Sequence, residues 1–68
     1  MLMTKIGAMR SFKATARELF AAYKASGRTE LHGCRINEMR VSGGWRVSGV
    51  RYDVLIKPDG KFGKVTIR

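Results

Sequence analysis

The sequence predicts an α+β fold: one N-terminal amphipathic helix packed on a three-stranded antiparallel β-meander. Three observations predict it. Apolar residues recur at helical spacing in Phe12, Ala16, Leu19, Phe20 and Tyr23, as in a helix that buries one stripe. After Gly27 the period shortens to two, through Trp45 and Val47 and then Val50, Tyr52, Val54 and Ile56, the alternation of half-buried strands. Turn signals at Ser42-Gly43-Gly44 and Pro58-Asp59-Gly60 divide the strand region, since these residue types suit reversals of the chain.

In chain order, residues 1–9 read as a loosely ordered start, with a short strand through Leu2 to Ile6 and Gly7 interrupting any helix. Ser11 is the expected N-cap of an Ala-rich helix over 12–26, and Gly27 the expected C′ residue, which places the helix within 11–27. The sheet occupies 29–68. Residues 29–41 read as an irregular strand with Cys34 and Ile36 on one face, or as a short helix over 34–40 that would suit Ile36 and Met39. The apolar parity flips near Ser48-Gly49, which one extra residue in a β-bulge explains; a second tight turn at Ser48-Gly49 is the alternative, and it would leave very short flanking segments. With Asp59-Gly60 as a two-residue type I′ turn, Tyr52 pairs with Ile67, Val54 with Val65 and Ile56 with Gly63. On the other face Arg51 then pairs with Arg68, Asp53 with Thr66, Leu55 with Lys64, and Lys57 with Phe62.

The 68 residues suffice for a single small domain, 1–68, with a modest core that a homodimer would help to stabilise. Fourteen Lys and Arg against five Asp and Glu give a net charge of +9. Such an excess points to a polyanionic partner. The charge is not confined to an arm: residues 1–28 hold six basic and one acidic residue, and residues 29–68 eight and four. Cys34 is the only cysteine, so no internal disulfide forms, and a reducing, cytoplasmic setting is expected. No apolar run approaches the length of a membrane span, and the N-terminus lacks the apolar core of a secretory signal. Residues 9–28 have the acid-poor amphipathic look of a transit peptide, but removing them would take away the only predicted helix.

The chemistry-bearing residues are few. One His and one Cys, His32 and Cys34, cannot fill a zinc shell. No phosphate-binding loop or dinucleotide fingerprint occurs. His32 beside Glu30 reads as a surface pair, and Cys34 as a small core residue. No catalytic residue, metal or cofactor is expected, and the chain does not read as an enzyme. Two basic patches remain. Arg10, Lys13, Arg17, Lys24 and Arg28 share a stripe roughly 60° wide on the helical wheel, beside the buried stripe. Arg10 and Lys13 would sit at the helix N-terminus, where the macrodipole disfavours cations, and so would call for an external anion. Arg46, Arg51, Lys57, Lys64 and Arg68 form the second set, with Phe62 among them as a residue for stacking. Trp45 reads as a core anchor.

A helix followed by an antiparallel meander resembles the first part of double-stranded-RNA-binding domains and of small HicA-type toxins. The segments Trp45–Val47, Tyr52–Ile56 and Lys64–Arg68 are loosely similar to the sheet of RelE/ParE-type toxins. These resemblances imply a fold class and assign no residue a role. The function expected is a small nucleic-acid-binding module, for DNA or RNA, that contacts phosphates with weak sequence specificity. The alternative is a small inhibitor, of the phage or plasmid type, docking its basic patch on an acidic protein surface. A compact ribonuclease toxin is the third reading, and it lacks a general acid/base pair.

Overall fold

The computed structural model describes residues 5–68, with side chains from Gly7 onward. It contains α1 (Lys5–Ser26), β1 (Glu30–Leu31), β2 (Cys34–Glu38), β3 (Trp45–Ser48), β4 (Tyr52–Ile56) and β5 (Phe62–Ile67). The strands form one antiparallel sheet whose order is the sequence order. The α+β class holds, but the sheet has five strands rather than three.

The helix begins earlier than its periodicity suggested. Residues 5–9 are helical, Gly7 lies inside α1, and Ser11 is an exposed mid-helix residue rather than a cap. A glycine costs about 1 kcal/mol in a helix interior, and the good helix formers Ala8 and Met9 that follow it offset part of this. Of the expected strand through Leu2 to Ile6, Lys5 and Ile6 are helical and the rest lies outside the described residues. The other end matches expectation. Gly27 takes φ 76° and donates its N–H to the Tyr23 carbonyl at 2.8 Å, closing the last turn.

One of the two extra strands comes from residues 29–41, where a single irregular strand was expected. His32 and Gly33 both have positive φ, 49° and 80°, the conformation a two-residue type I′ loop requires. The segment therefore folds back as a tight hairpin, with Leu31 opposite Cys34 and Glu30 opposite Arg35. No helix forms over 34–40. A further strand comes from Ser48-Gly49, where the chain reverses instead of bulging. Ser48 lies opposite Asp53, Gly49 donates to the Tyr52 carbonyl at 2.8 Å, and Val50 and Arg51 form the tip. Parity flips there because a new strand starts. Gly49 serves packing: a Cβ on it would stand 3.1 Å from the Phe12 ring.

The last hairpin corrects the predicted register. Gly60 donates to the Lys57 carbonyl, Lys57 donates to the Lys61 carbonyl, and Gly60 has φ 88°. The loop is thus three residues, Pro58, Asp59 and Gly60, with a type I turn and a left-handed glycine. A two-residue loop would need an N–H from Pro58, which has none. Ile56 consequently faces Phe62 rather than Gly63, and Lys57 faces Lys61 rather than Phe62. One extra residue in β5, opposite Leu55, then restores the expected pairs: Val54 with Val65, Asp53 with Thr66 and Tyr52 with Ile67. Leu55 and Lys64 meet at this irregularity rather than as a regular pair.

α1 packs over β1, β2 and β4. It buries Phe12, Ala16 and Leu19 against Cys34, Ile36, Val47, Val54 and Ile56. The row Ile36, Val47, Val54 and Val65 crosses four strands on this face. Trp45 is half-buried and packs on Phe20, ring centroids 4.8 Å apart. Its indole N–H is buried without a hydrogen-bond partner, so Trp45 anchors the core through ring area alone.

Two substitutions test this account. Gly44 is buried, and a Cβ there would meet the Ile56 carbonyl oxygen, part of the β4 backbone, at 2.2 Å. Gly44→Ala is expected to destabilise by about 2 kcal/mol or more, read by denaturant unfolding, because the backbone must move. His32→Asn should instead stabilise by roughly 0.5–1 kcal/mol, since Asn tolerates the left-handed conformation that His resists.

Candidate functional site

The sheet has two unlike faces. One is covered by α1. No described element covers the other, which presents Arg35, Asn37, Arg46, Ser48, Asp53 and Leu55 through the strand alternation. The predicted binding residues divide between the flank of α1 and this open face.

On the flank, Arg10, Arg17 and Lys24 are exposed and Lys13 is half-exposed. One cation–π contact ties this stripe to the last hairpin, and a second lies within α1 itself. The Arg17 guanidinium lies 5.0 Å from the centroid of the Phe62 ring, and the Lys24 ammonium 5.2 Å from that of Phe20. A Cβ on Gly60 would be 3.9 Å from the same Phe20 ring. The helix flank thus abuts the β4–β5 loop, where Lys57 and Lys61 are exposed. Lys61 was not legible as part of this surface, because the two-residue turn gave the hairpin a different register. The only acid of α1, Glu18, lies well around the helix from the stripe.

Arg28 leaves the stripe. The chain turns at Gly27, and Arg28 Nε donates to the Glu30 carbonyl at 3.1 Å. The macrodipole argument also falls away. With α1 starting at Lys5, Arg10 and Lys13 lie beyond the first turn, where the dipole no longer acts strongly.

The open face carries more acid. Arg35 holds the Glu30 carboxylate, so Glu30 pairs with Arg35 and not with His32. Arg68 holds Asp53, with Nε to Oδ2 at 3.2 Å and a second nitrogen 3.1 Å from Oδ1. Among the described residues these are the ion pairs, and Arg10, Lys13, Arg17 and Lys24 belong to neither. Arg46 and Lys64 are exposed, as is Arg51 in the loop that accepts the Arg68 N–H at 2.7 Å. Phe62 does not join the open face. Its place opposite Ile56 turns it toward the helix, where it is half-buried.

A shallow depression of about 600 Å³ lies along the β1–β2 hairpin, lined by Arg28, Glu30, Leu31, His32, Gly33, Cys34 and Arg35. Arg28 and Arg35 are both engaged with Glu30 there. Cys34 is buried, and burial pushes its thiol pKa up, which disfavours the nucleophilic thiolate. Among the described residues no group of three metal-ligating side chains assembles, and no helix is long and apolar enough to cross a membrane.

No protein family, curated protein or solved structure matches this chain. The resemblance to double-stranded-RNA-binding domains and HicA-type toxins rests on a helix followed by a meander, which here has five strands, and that to RelE/ParE-type toxins on three sheet segments.

The buried thiol gives a direct check on this geometry. Cys34 should react with a thiol reagent at a small fraction of its rate in the denatured chain, and Gly49→Ala, which crowds Phe12 and Cys34, should raise the native rate.

Proposed function

We propose that the protein is a non-enzymatic nucleic-acid-binding module that grips phosphates through the flank of α1 and the β4–β5 loop. One observation carries this reading. Arg10, Lys13, Arg17 and Lys24 form a band outside the ion pairs of the described residues, and through Arg17 on Phe62 it meets the hairpin whose loop carries Lys57 and Lys61 with one acid, Asp59. Cations held beside one another without counter-charges repel. A polyanion relieves that repulsion and releases its own condensed counterions on binding. The open face is the lesser surface, because Glu30 and Asp53 offset Arg35 and Arg68 there. Phosphate contacts carry no sequence information, which accounts for the weak specificity proposed. A reducing cytoplasm, where nucleic acid is met, suits the single free thiol.

An acidic protein surface is the rival partner for the same band. Protein interfaces draw their affinity from buried apolar and aromatic anchors. Of the exposed large apolar residues, Val41, Val50 and Leu55 lie in loops and on the open face, and Ile67, opposite Tyr52 on the helix side of β5, is a single apolar residue rather than a cluster of anchors. The band therefore favours phosphates.

The test is a titration with nucleic acid in rising salt. On duplex DNA the logarithm of the binding constant should fall with log salt by about 0.9 per phosphate contact. Replacing Arg17 and Lys24 together by Ala should lower that slope by about 2. The pair Arg46→Ala and Arg68→Ala should change it less. Binding indifferent to salt would overturn the proposal.

A further inference from the structure

We infer that the band takes a double strand in preference to a single strand, an inference that rests on the nucleic-acid reading above. Proteins that hold single strands join a basic groove to aromatic side chains on which successive bases stack. This chain has six aromatic residues, and none offers an open platform. Phe12 is buried, and Phe20, Tyr23, Trp45, Tyr52 and Phe62 are half-buried against the core. Several rings are already occupied. Phe12 packs on Tyr52, Phe20 lies between Trp45 and the Lys24 ammonium, and Phe62 lies under Arg17. The Phe62 ring, the one best placed beside the band, is thus covered by one of the cations that would bind phosphate.

Without stacking, the attraction left is that between cations and phosphates, and this favours the duplex. A duplex carries twice the charge per length of one of its strands, and each contact releases more counterion, about 0.9 against about 0.7 in the salt slope. The presentation of the cations suits a rigid target. Lys13, Arg17 and Lys24 project from one helix with no proline in it, with rises of roughly 6 and 10 Å between them along the axis. A fixed line of charge meets a fixed ridge of phosphates without ordering the ligand, whereas a flexible strand must lose conformational freedom to match it.

Both DNA and RNA duplexes present such ridges, so both are tested. Fluorescence anisotropy would compare a blunt DNA duplex and an RNA duplex of about two helical turns with their separate, unstructured strands, at low and physiological salt. Each duplex is expected to bind about tenfold or more tighter than its strands, with a steeper salt slope. A preference confined to one kind of duplex supports the inference and assigns the sugar. Strands that bind as tightly as both duplexes, or more tightly, overturn it while leaving the nucleic-acid reading intact. Salt-dependent binding to none of the ligands overturns both.

Discussion

Pro58 has no N–H to donate, and one side of the molecule is arranged around that fact. The loop lengthens to three residues, Lys57 takes up the hydrogen bond to Lys61, and the register shifts by one place. Phe62 then lies opposite Ile56 on the helix side, where Arg17 covers its ring. The extra residue in β5 absorbs the shift, so Val65 returns to the apolar row beside Val54. A ring that would otherwise stand among open-face cations becomes the floor beneath a helical one. That contact makes the helix flank and the last hairpin a single surface.

Charge is sorted between the two layers. Each acid of the open face is gripped by an arginine, Glu30 by Arg35 and Asp53 by Arg68. Those arginines are exposed, and exposed pairs contribute little to stability. Their effect is on the field of the molecule, since they leave the open face mixed in sign. The flank of α1 has no such neutralisation. The excess of basic residues is therefore directional, a distinction that composition alone cannot draw.

Residues whose role depends on a single local rule were legible in the sequence. The buried stripe of α1, the left-handed Gly27 and the inward Cys34 and Ile36 all follow from periodicity or glycine chemistry, whereas the pairs Tyr52–Ile67 and Val54–Val65 were reached through a two-residue turn and hold because the extra residue in β5 offsets the longer loop. What escaped depended on two rules in competition. A turn near Ser48-Gly49 leaves strands of only four and five residues, so the reversal there looked like a bulge. His32 sits in a left-handed conformation more typical of Asn or Gly, which hid the first hairpin. The Asp59-Gly60 signal was real, but it did not weigh the missing N–H of the residue before it. Among the binding candidates, Phe62 was misplaced for the last of these reasons, Arg28 because it lies past the helix end at Gly27, and Lys61 was passed over.

The strand order equals the sequence order, and this bears on how the molecule comes to exist. Every strand pairs only with its neighbour in the chain, so the sheet closes no long loop as it grows, a topology associated with rapid assembly. The helix is synthesised before the sheet, yet its apolar stripe has nothing to rest on until β2, β3 and β4 have followed. The hairpin that carries Lys57, Lys61 and Phe62 comes last. The basic surface shared by helix and hairpin therefore exists only once β5 is in place, and without that hairpin the helical cations would lack the wall that positions them.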